Sequence, residues 1–557
     1  MRRVNIPYQF LEFVLCLFAF AIVFSKTLMT IADVLLIGVA IIFILNKQPI
    51  ENKQNKLKFT FTFLLIYASL LFGLFYTTNY DYAINLLKVQ LPLLIFPISF
   101  LFFPDLKDTT ILKVIATHSI SILIASFISI YYSLFTELSF RDIFPFISHI
   151  RLSLNVCVSI TIWLIFLINN LSRKLKPKYI VLIVAYIIWG IIFLMLLKSL
   201  TGFVIMFCVL TILVLSPFIY RSIKPIFSKM FRILYLCVLI IGILFGYISL
   251  KKYYGENLNQ FFNFSKSNIS NNIGANENYI GNNNIADNNT SSQKYTVNGN
   301  PYSYNVNAGV IEEGTNYMYE VCEMELENEW NKISDIKYNS YTQNGNLSEI
   351  LIRYLNSIGY SKDSVGISLL NQEQIKDIES GVANVNYNKF GLYPRISSIL
   401  FSYELYKKTG NPSNSTVFQR LYYWKAGLNV WLDNVIFGTG TGDILNELNE
   451  VYEKKFPILN KELRASTHNQ YIFYLAQLGI FGLLCFMIGF FISPTFIKGY
   501  NNIYFKYIVI IIAISMFSED TLGSQAGVTF SMLFYFLFAY QKNTPNIFKT
   551  KIEKEIS

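Results

Sequence analysis

Long apolar runs recur through this chain at the length a lipid bilayer demands. A helix needs about 20 mostly apolar residues to cross the hydrocarbon core. Such runs lie near 9–25, 28–46, 59–76, 86–103, 110–135, 152–168, 179–197, 201–220, 232–250, 469–493, 503–518 and 526–540. They constrain the fold strongly, because inside a bilayer every backbone N–H and C=O must be paired within the protein. The expected fold is therefore an all-α polytopic membrane protein with about twelve transmembrane helices. Composition agrees, with 53% of the 557 residues hydrophobic and 17% aromatic and a mean hydropathy of +0.41. Some runs are short or carry Asp33, Lys88 or His118, so one helix more or fewer also fits. The first run lacks a small-residue cleavage site and is followed at once by a second, the pattern of a retained anchor rather than a signal peptide.

Orientation follows from the short loops. On one side they carry Arg2 and Arg3, then Lys47, Lys53, Lys56 and Lys58, then Lys107. Further along that side come Arg173, Lys174, Lys176 and Lys178, then Arg221, Lys224, Lys229 and Arg232, then Lys498, Lys506 and the tail lysines. The other side holds Lys26, Lys88, Arg141, Arg151 and Lys198. This asymmetry places both termini in the cytoplasm and the long insertion outside the cytoplasmic membrane. The net charge of +11 then reflects topology and contact with membrane lipids, and no nucleic-acid motif accompanies it. Five of six cysteines lie in spans and Cys322 stands alone in the insertion, so that region must be stabilised by packing.

The expected organisation is a membrane domain of about nine helices at 1–250 and an Asn-rich flexible loop at 251–310. A helical cap at 311–467, a second membrane domain of about three helices at 468–541 and a cytoplasmic tail at 542–557 follow. In the cap, Cys322, Leu326, Trp330 and Ile333 recur at helical spacing, Ser348 precedes a run stopped by Gly359, and Asn371–Gln374 has capping-box form. Val417, Leu421, Trp424, Leu428 and Trp431 mark an amphipathic helix over 416–433.

Several chemistries have no support. Three scattered histidines without His-Glu-x-x-His argue against a zinc site. No Asp-x-Asp pair lies outside to hold a metal-bound nucleotide sugar. The Gly438-Thr-Gly-Thr-Gly442 cluster does not follow a strand and reads as a flexible turn. What remains is a set of outer-face basic groups: Arg151 after His149, Lys198 at a turn between spans, Arg420 on the amphipathic helix, and His468 at the threshold of the run beginning near 469. Singly, each has a plain alternative, such as an arginine snorkelling to headgroups. Together they suit a phosphate-bearing lipid, since guanidinium and ammonium groups pair with phosphate oxygens. A helix N-terminus adds free N–H donors and positive potential, which also favours a neutral imidazole able to act as a base.

Phe418-Gln-Arg-Leu-Tyr-Tyr-Trp-Lys-Ala426, Phe437-Gly-Thr-Gly-Thr-Gly-Asp443, Arg464-Ala-Ser-Thr-His-Asn-Gln-Tyr471 and Gly479-Ile-Phe-Gly-Leu483 resemble the O-antigen ligase (polymerase/ligase) superfamily. Ser518-Glu-Asp-Thr-Leu-Gly-Ser-Gln-Ala-Gly-Val528 is similar to its Bacteroidota-type branch. Ile352-Arg-Tyr-Leu355, Lys362-Asp363 and Ile378-Glu-Ser-Gly-Val-Ala-Asn384 share that similarity. The resemblance implies a GT-C-like, metal-independent inverting glycosyltransferase that needs no cofactor. It would move a glycan from undecaprenyl pyrophosphate to an acceptor such as lipid A–core at the periplasmic face. Carried onto this chain, Arg420 binds the pyrophosphate and His468 is the catalytic base. Many relatives have an arginine within the stretch that here reads Ser199-Leu-Thr-Gly202, so Arg151 or Lys198 would substitute, with Arg151 favoured for its bidentate fork. O-antigen polymerase and protein O-oligosaccharyltransferase share the donor and remain open. A transporter with a regulatory cap is the reading from another class, but no internal repeat supports it and only Asp33 and His118 lie well inside spans. Each of those two is expected to make a polar contact between helices.

Overall fold

The structure, a computed structural model, describes residues 5–47, 50–135, 144–170, 176–216, 225–255, 294–304, 310–342, 345–389 and 391–541. Arg2, Arg3, Arg141, Arg173, Lys174, Arg221, Lys224, most of the 251–310 segment and the 542–557 tail lie outside the described residues. Contacts divide the chain into two compact units, Met1–Ile233 with Thr416–Ser557, and Leu234–Ser415.

Among the described residues, nine helices are long and apolar enough to cross a membrane. They are Pro7–Phe24, Lys26–Leu45, Lys53–Tyr76, Tyr80–Phe102, Asp108–Ser133, His149–Asn170, Pro177–Leu196, Arg232–Tyr254 and Gln470–Ile497. Three shorter apolar helices, Leu200–Leu215, Ile503–Ser518 and Gln525–Ala539, accompany them. Each expected apolar run falls on one of these helices, and the chain is a helical, multi-pass membrane protein. The three short helices have 16, 16 and 15 residues, or about 24 Å at 1.5 Å per residue, less than the ~30 Å hydrocarbon core.

The centre of the first unit is Gln525–Ala539, in which every residue from Ala526 to Ala539 is buried. A helix apolar all round is stable only when covered all round; here Asn5–Phe24, Pro92–Phe102 and Ile503–Ser518 lie against it. His149–Asn170 is also largely internal. Its Asn155 side chain meets His118 Nε2 at 2.8 Å and donates to the Arg151 carbonyl at 2.9 Å. His118 therefore makes the interhelical polar contact expected of it.

The second unit packs helices Glu323–Ile333, Leu347–Ile358, Gln372–Glu379 and Tyr393–Thr409 around Leu326, Trp330, Leu351, Leu355 and Ile378. Asn346, rather than Ser348, caps the Leu347–Ile358 helix, which Gly359 ends at φ 76°. The Asn371–Gln374 capping box forms as expected. Among the described residues, three small antiparallel strand pairs, such as Ile311–Glu312 with Thr315–Asn316, add β structure that the all-α reading did not include.

Residues 416–467, read from sequence as part of the cap, group with the first unit. The Thr416–Asp433 helix buries Gln419, Tyr423, Ala426, Gly427 and Val430, whereas Leu421 and Leu428 of the expected apolar stripe are 41% and 38% exposed. The packed face thus mixes small, polar, aromatic and branched residues and leaves those two leucines outside it. A Cβ on Gly427 would lie 2.6 Å from Ile472 and 2.7 Å from Thr467, so the small residue permits this close crossing.

Candidate active site

Three chain segments converge at one end of the first unit. The first turns of Thr416–Asp433 carry Arg420, the approach to Gln470–Met487 carries Ser466–Asn469, and the link between Ile503–Ser518 and Gln525–Ala539 carries Glu519–Thr521. The opening turn of His149–Asn170 brings Arg151 to the same place.

His468 sits one residue before the helix cap, at φ 46°, a left-handed conformation costing a non-glycine residue about 1–2 kcal/mol. Asn469 makes that conformation part of a fixed frame. Its Oδ1 accepts from the Tyr471 and Ile472 N–H groups, both at 3.1 Å, and its Nδ2 donates to the Phe517 carbonyl at 3.2 Å. The free N–H donors expected at this helix end are thus partly occupied by Asn469, a correction to the picture of an open anion site. The imidazole stacks obliquely on the Tyr423 ring, centroids 5.5 Å apart, and the Tyr423 hydroxyl donates to the Leu463 carbonyl at 2.6 Å.

Glu519 joins the two basic groups. Arg420 Nη2 donates to its Oε1 at 2.5 Å, and His468 Nδ1 faces its Oε2 at 3.4 Å, a longer approach than a well-formed hydrogen bond. The Glu519 side chain is 11% exposed and that of His468 35%, so the imidazole is reachable while its partner is enclosed. Burial alone would raise the Glu519 carboxyl, but His468 and the charges of Arg420 and Arg151 outweigh it and hold the group below the usual glutamate value.

Asp520 is a second, differently placed carboxylate. It accepts from Ser466 Oγ at 2.5 Å and Thr467 Oγ1 at 3.2 Å, but burial dominates and raises it. Arg151 directs Nη1 to the Thr521 carbonyl and Nη2 to the Asp520 carbonyl, both at 3.2 Å. Its fork therefore grips the acidic turn itself. Gly527 makes room for it, since a Cβ there would lie 2.4 Å from Arg151 Nη1 and 1.9 Å from the Thr521 carbonyl oxygen.

Lys198 ends the neighbouring helix at φ 48°. The next residue, Ser199, meets Ser153 Oγ at 2.9 Å, and Ser153 lies about 200° round the helix from Arg151. That contact addresses the face turned away from the cluster. The structure thus brings His468, Arg420 and Arg151 together around Glu519–Thr521, with Lys198 at the turn that precedes the Leu200–Leu215 helix.

The glycine cluster is not a flexible turn. Gly479, at φ 66° and ψ −166°, breaks the Gln470–Met487 helix in a conformation essentially reserved for glycine. The freed carbonyls of Ala476 and Gln477 accept from the Thr439 and Gly440 N–H groups at 3.1 and 2.9 Å. Ile480 and Phe481 donate to the Val435 and Ile436 carbonyls at 3.0 and 3.1 Å. A membrane helix can be interrupted only where such partners exist. Asp443 anchors the far end, accepting from Thr77 Oγ1, Thr78 N, Thr78 Oγ1 and Asn79 N at 3.2, 2.7, 2.8 and 2.8 Å. These donors outweigh the opposing effect of burial and hold its carboxyl below the usual range.

Sequence reasoning passed over Glu519 and Asp520 as site residues. Their signal was visible: two adjacent acids between apolar helices are costly unless matched by cations.

Residues 366–487 match the family model described as O-Antigen ligase. That stretch is similar to the O-antigen ligase family, which supports membership of the O-antigen ligase/polymerase superfamily. Arg420, the glycine cluster, His468 and Gly479 all lie inside the matched stretch, and Arg151 and Glu519 outside it. No curated protein matches the chain.

Proposed function

We propose that the chain is an O-antigen ligase of GT-C-like architecture. It transfers a glycan from undecaprenyl pyrophosphate to a hydroxyl of lipid A–core, at the periplasmic face of the inner membrane, without a metal and with inversion. The observation that most supports this reading is the placement of His468 and Arg420 on the two oxygens of one carboxylate. With Nδ1 turned to Glu519, Nε2 is the nitrogen left to take the acceptor proton. The long His468–Glu519 approach is ordinary for a catalytic pair before substrate arrives. The acceptor oxygen attacks the anomeric carbon as the bond to the pyrophosphate oxygen breaks. Arg420 receives the developing negative charge, since Glu519 engages one of its five donors. Arg151 adds positive charge but acts mainly by holding the 519–521 turn, a different part from the phosphate ligand expected of it, and Lys198 is a further cation for the donor.

A deletion strain tests the reaction class through its surface polysaccharide. Loss of long chains from lipid A–core with lipid-linked polymer accumulating means ligase. A single repeat unit on the core means polymerase, and unchanged glycans overturn both. In the purified chain, His468→Ala should cut transfer by about 10²–10⁴; wild-type transfer by that variant removes the base assignment.

A further inference from the structure

The second unit contains an open polar cleft of about 640 Å³, within the size range of small-ligand sites. Its walls come from the hairpin around Thr315 and Asn316, the strand residue Tyr319, and the end of the Leu347–Ile358 helix with Tyr360 and Lys362 beyond it. Lys362 Nζ, 8% exposed as a residue, donates to the Tyr319 carbonyl at 2.9 Å and the Asn316 carbonyl at 3.4 Å. An ammonium has a third donor, and Lys362 is one of the residues lining the cleft. Asn356 stands at the same wall, accepting from Thr315 Oγ1 at 3.0 Å and donating to the Glu312 carbonyl at 2.9 Å.

The backbone beside the cleft is strained in a way its visible contacts do not offset. Glu320 adopts φ 54°, next to a register shift in its strand pair. Its ion pair with Lys294 is on the surface, where solvent screening leaves little net stabilisation to set against the left-handed conformation. Bulges of this kind re-aim side chains, and Tyr319 is 42% exposed.

The lining selects a class of ligand. Among the described residues, no aliphatic or phenylalanine side chain lines the cleft, so an acyl chain or apolar peptide would find nothing to bury against. One lysine faces two glutamates, Glu313 and Glu320, which disfavours a polyanion. Amide, hydroxyl and ammonium groups beside two phenol rings suit a hydroxyl-rich ligand, whose C–H faces pack on the electron-rich ring surface.

We propose that this cleft binds a few sugar rings of a glycan chain. The proposal rests on the reading of this protein as a glycan transferase, and it places a saccharide site in the second unit.

The test uses the full-length chain in lipid nanodiscs and, as probe, the oligosaccharide freed by mild acid from the lipid-linked glycan of the source cells. Saturation-transfer NMR should show binding that Tyr319→Ala and Tyr360→Ala each weaken by about tenfold or more. Tyr360→Phe, which keeps the ring, should stay close to wild type and controls for folding. His468→Ala should bind the probe like wild type, so loss of transfer in that variant bears on the reaction and leaves the cleft standing. No binding by the wild-type chain, or equal binding after both tyrosine truncations, overturns the proposal. So does displacement of the probe by an unrelated peptide mixture at stoichiometric amounts.

Discussion

Arg420 Nη2 lies 2.5 Å from Glu519 Oε1, while the other oxygen of that carboxylate faces His468 Nδ1 at 3.4 Å. One acidic side chain thus orients a guanidinium and an imidazole that are 48 residues apart in sequence (468 less 420). If Glu519 positions the base, Glu519→Gln should lower kcat with little change in KM, by about 10²-fold, at the low end of general-base assistance. In a His468→Ala background the same change should cost far less, because the two residues act as a unit. Additive losses in the double variant would assign Glu519 a role independent of His468.

Stability should report the same carboxylate. Its folded-state value lies below the ordinary glutamate value of 4.5, so its stabilisation is complete above pH 4.5 and is lost as pH falls through the folded value. At neutral pH, Glu519→Gln should therefore unfold more readily, by about 1.5–3 kcal/mol for hydrogen bonds to a charged group. Thermal unfolding of the two proteins should converge as the pH falls through and below the folded-state value of that carboxyl. A gap that persists there would mean the loss comes from packing rather than charge.

Arg151 and Gly527 should give the same lesion. Gly527→Ala puts a methyl group where the guanidinium and the Thr521 carbonyl already lie, so it should displace the turn that Arg151→Ala leaves unheld. Each should reduce transfer, and combining them should add little. Arg151→Lys should rescue poorly, because an ammonium cannot span two carbonyls as the fork does. Full activity of Gly527→Ala would show that the turn tolerates another path.

The broken helix gives a test of folding rather than chemistry. Gly479→Ala would set a Cβ 2.2 Å from the Ile436 carbonyl oxygen, in a backbone region closed to alanine. Little monodisperse protein should be recovered from detergent extracts. Asp443→Ala should destabilise by about 2–4 kcal/mol, read as a lowered melting temperature, by orphaning the donors of Thr77, Thr78 and Asn79. Asp443→Asn should lie between wild type and alanine.

Much of this architecture was legible from the order of residues. Apolar runs located the membrane helices because the bilayer imposes a length that sequence alone can satisfy. The Asn371–Gln374 box and the Gly359 stop were local matters and formed as expected. His468, Arg420 and Arg151 stood out because cations are scarce on that side of the chain. The stripe over 416–433 misled because helical spacing marks an apolar face without saying which face meets a neighbour, and Gly427 lets Ile472 and Thr467 come close on another. Leu421 and Leu428 are the exposed face, and Gln419, Tyr423 and Gly427 the packed one.

Sequence by itself decided that this chain builds a multi-span helical body and which basic side chains were candidates, since those properties depend on nearest neighbours and on solvent. Only the folded chain could decide that Glu519 sits between a guanidinium and an imidazole, that Arg151 clasps backbone carbonyls, and that a glycine-rich stretch fills a broken helix. Those relationships depend on segments tens to hundreds of positions apart meeting at van der Waals distance, and local preference carries no information about such meetings.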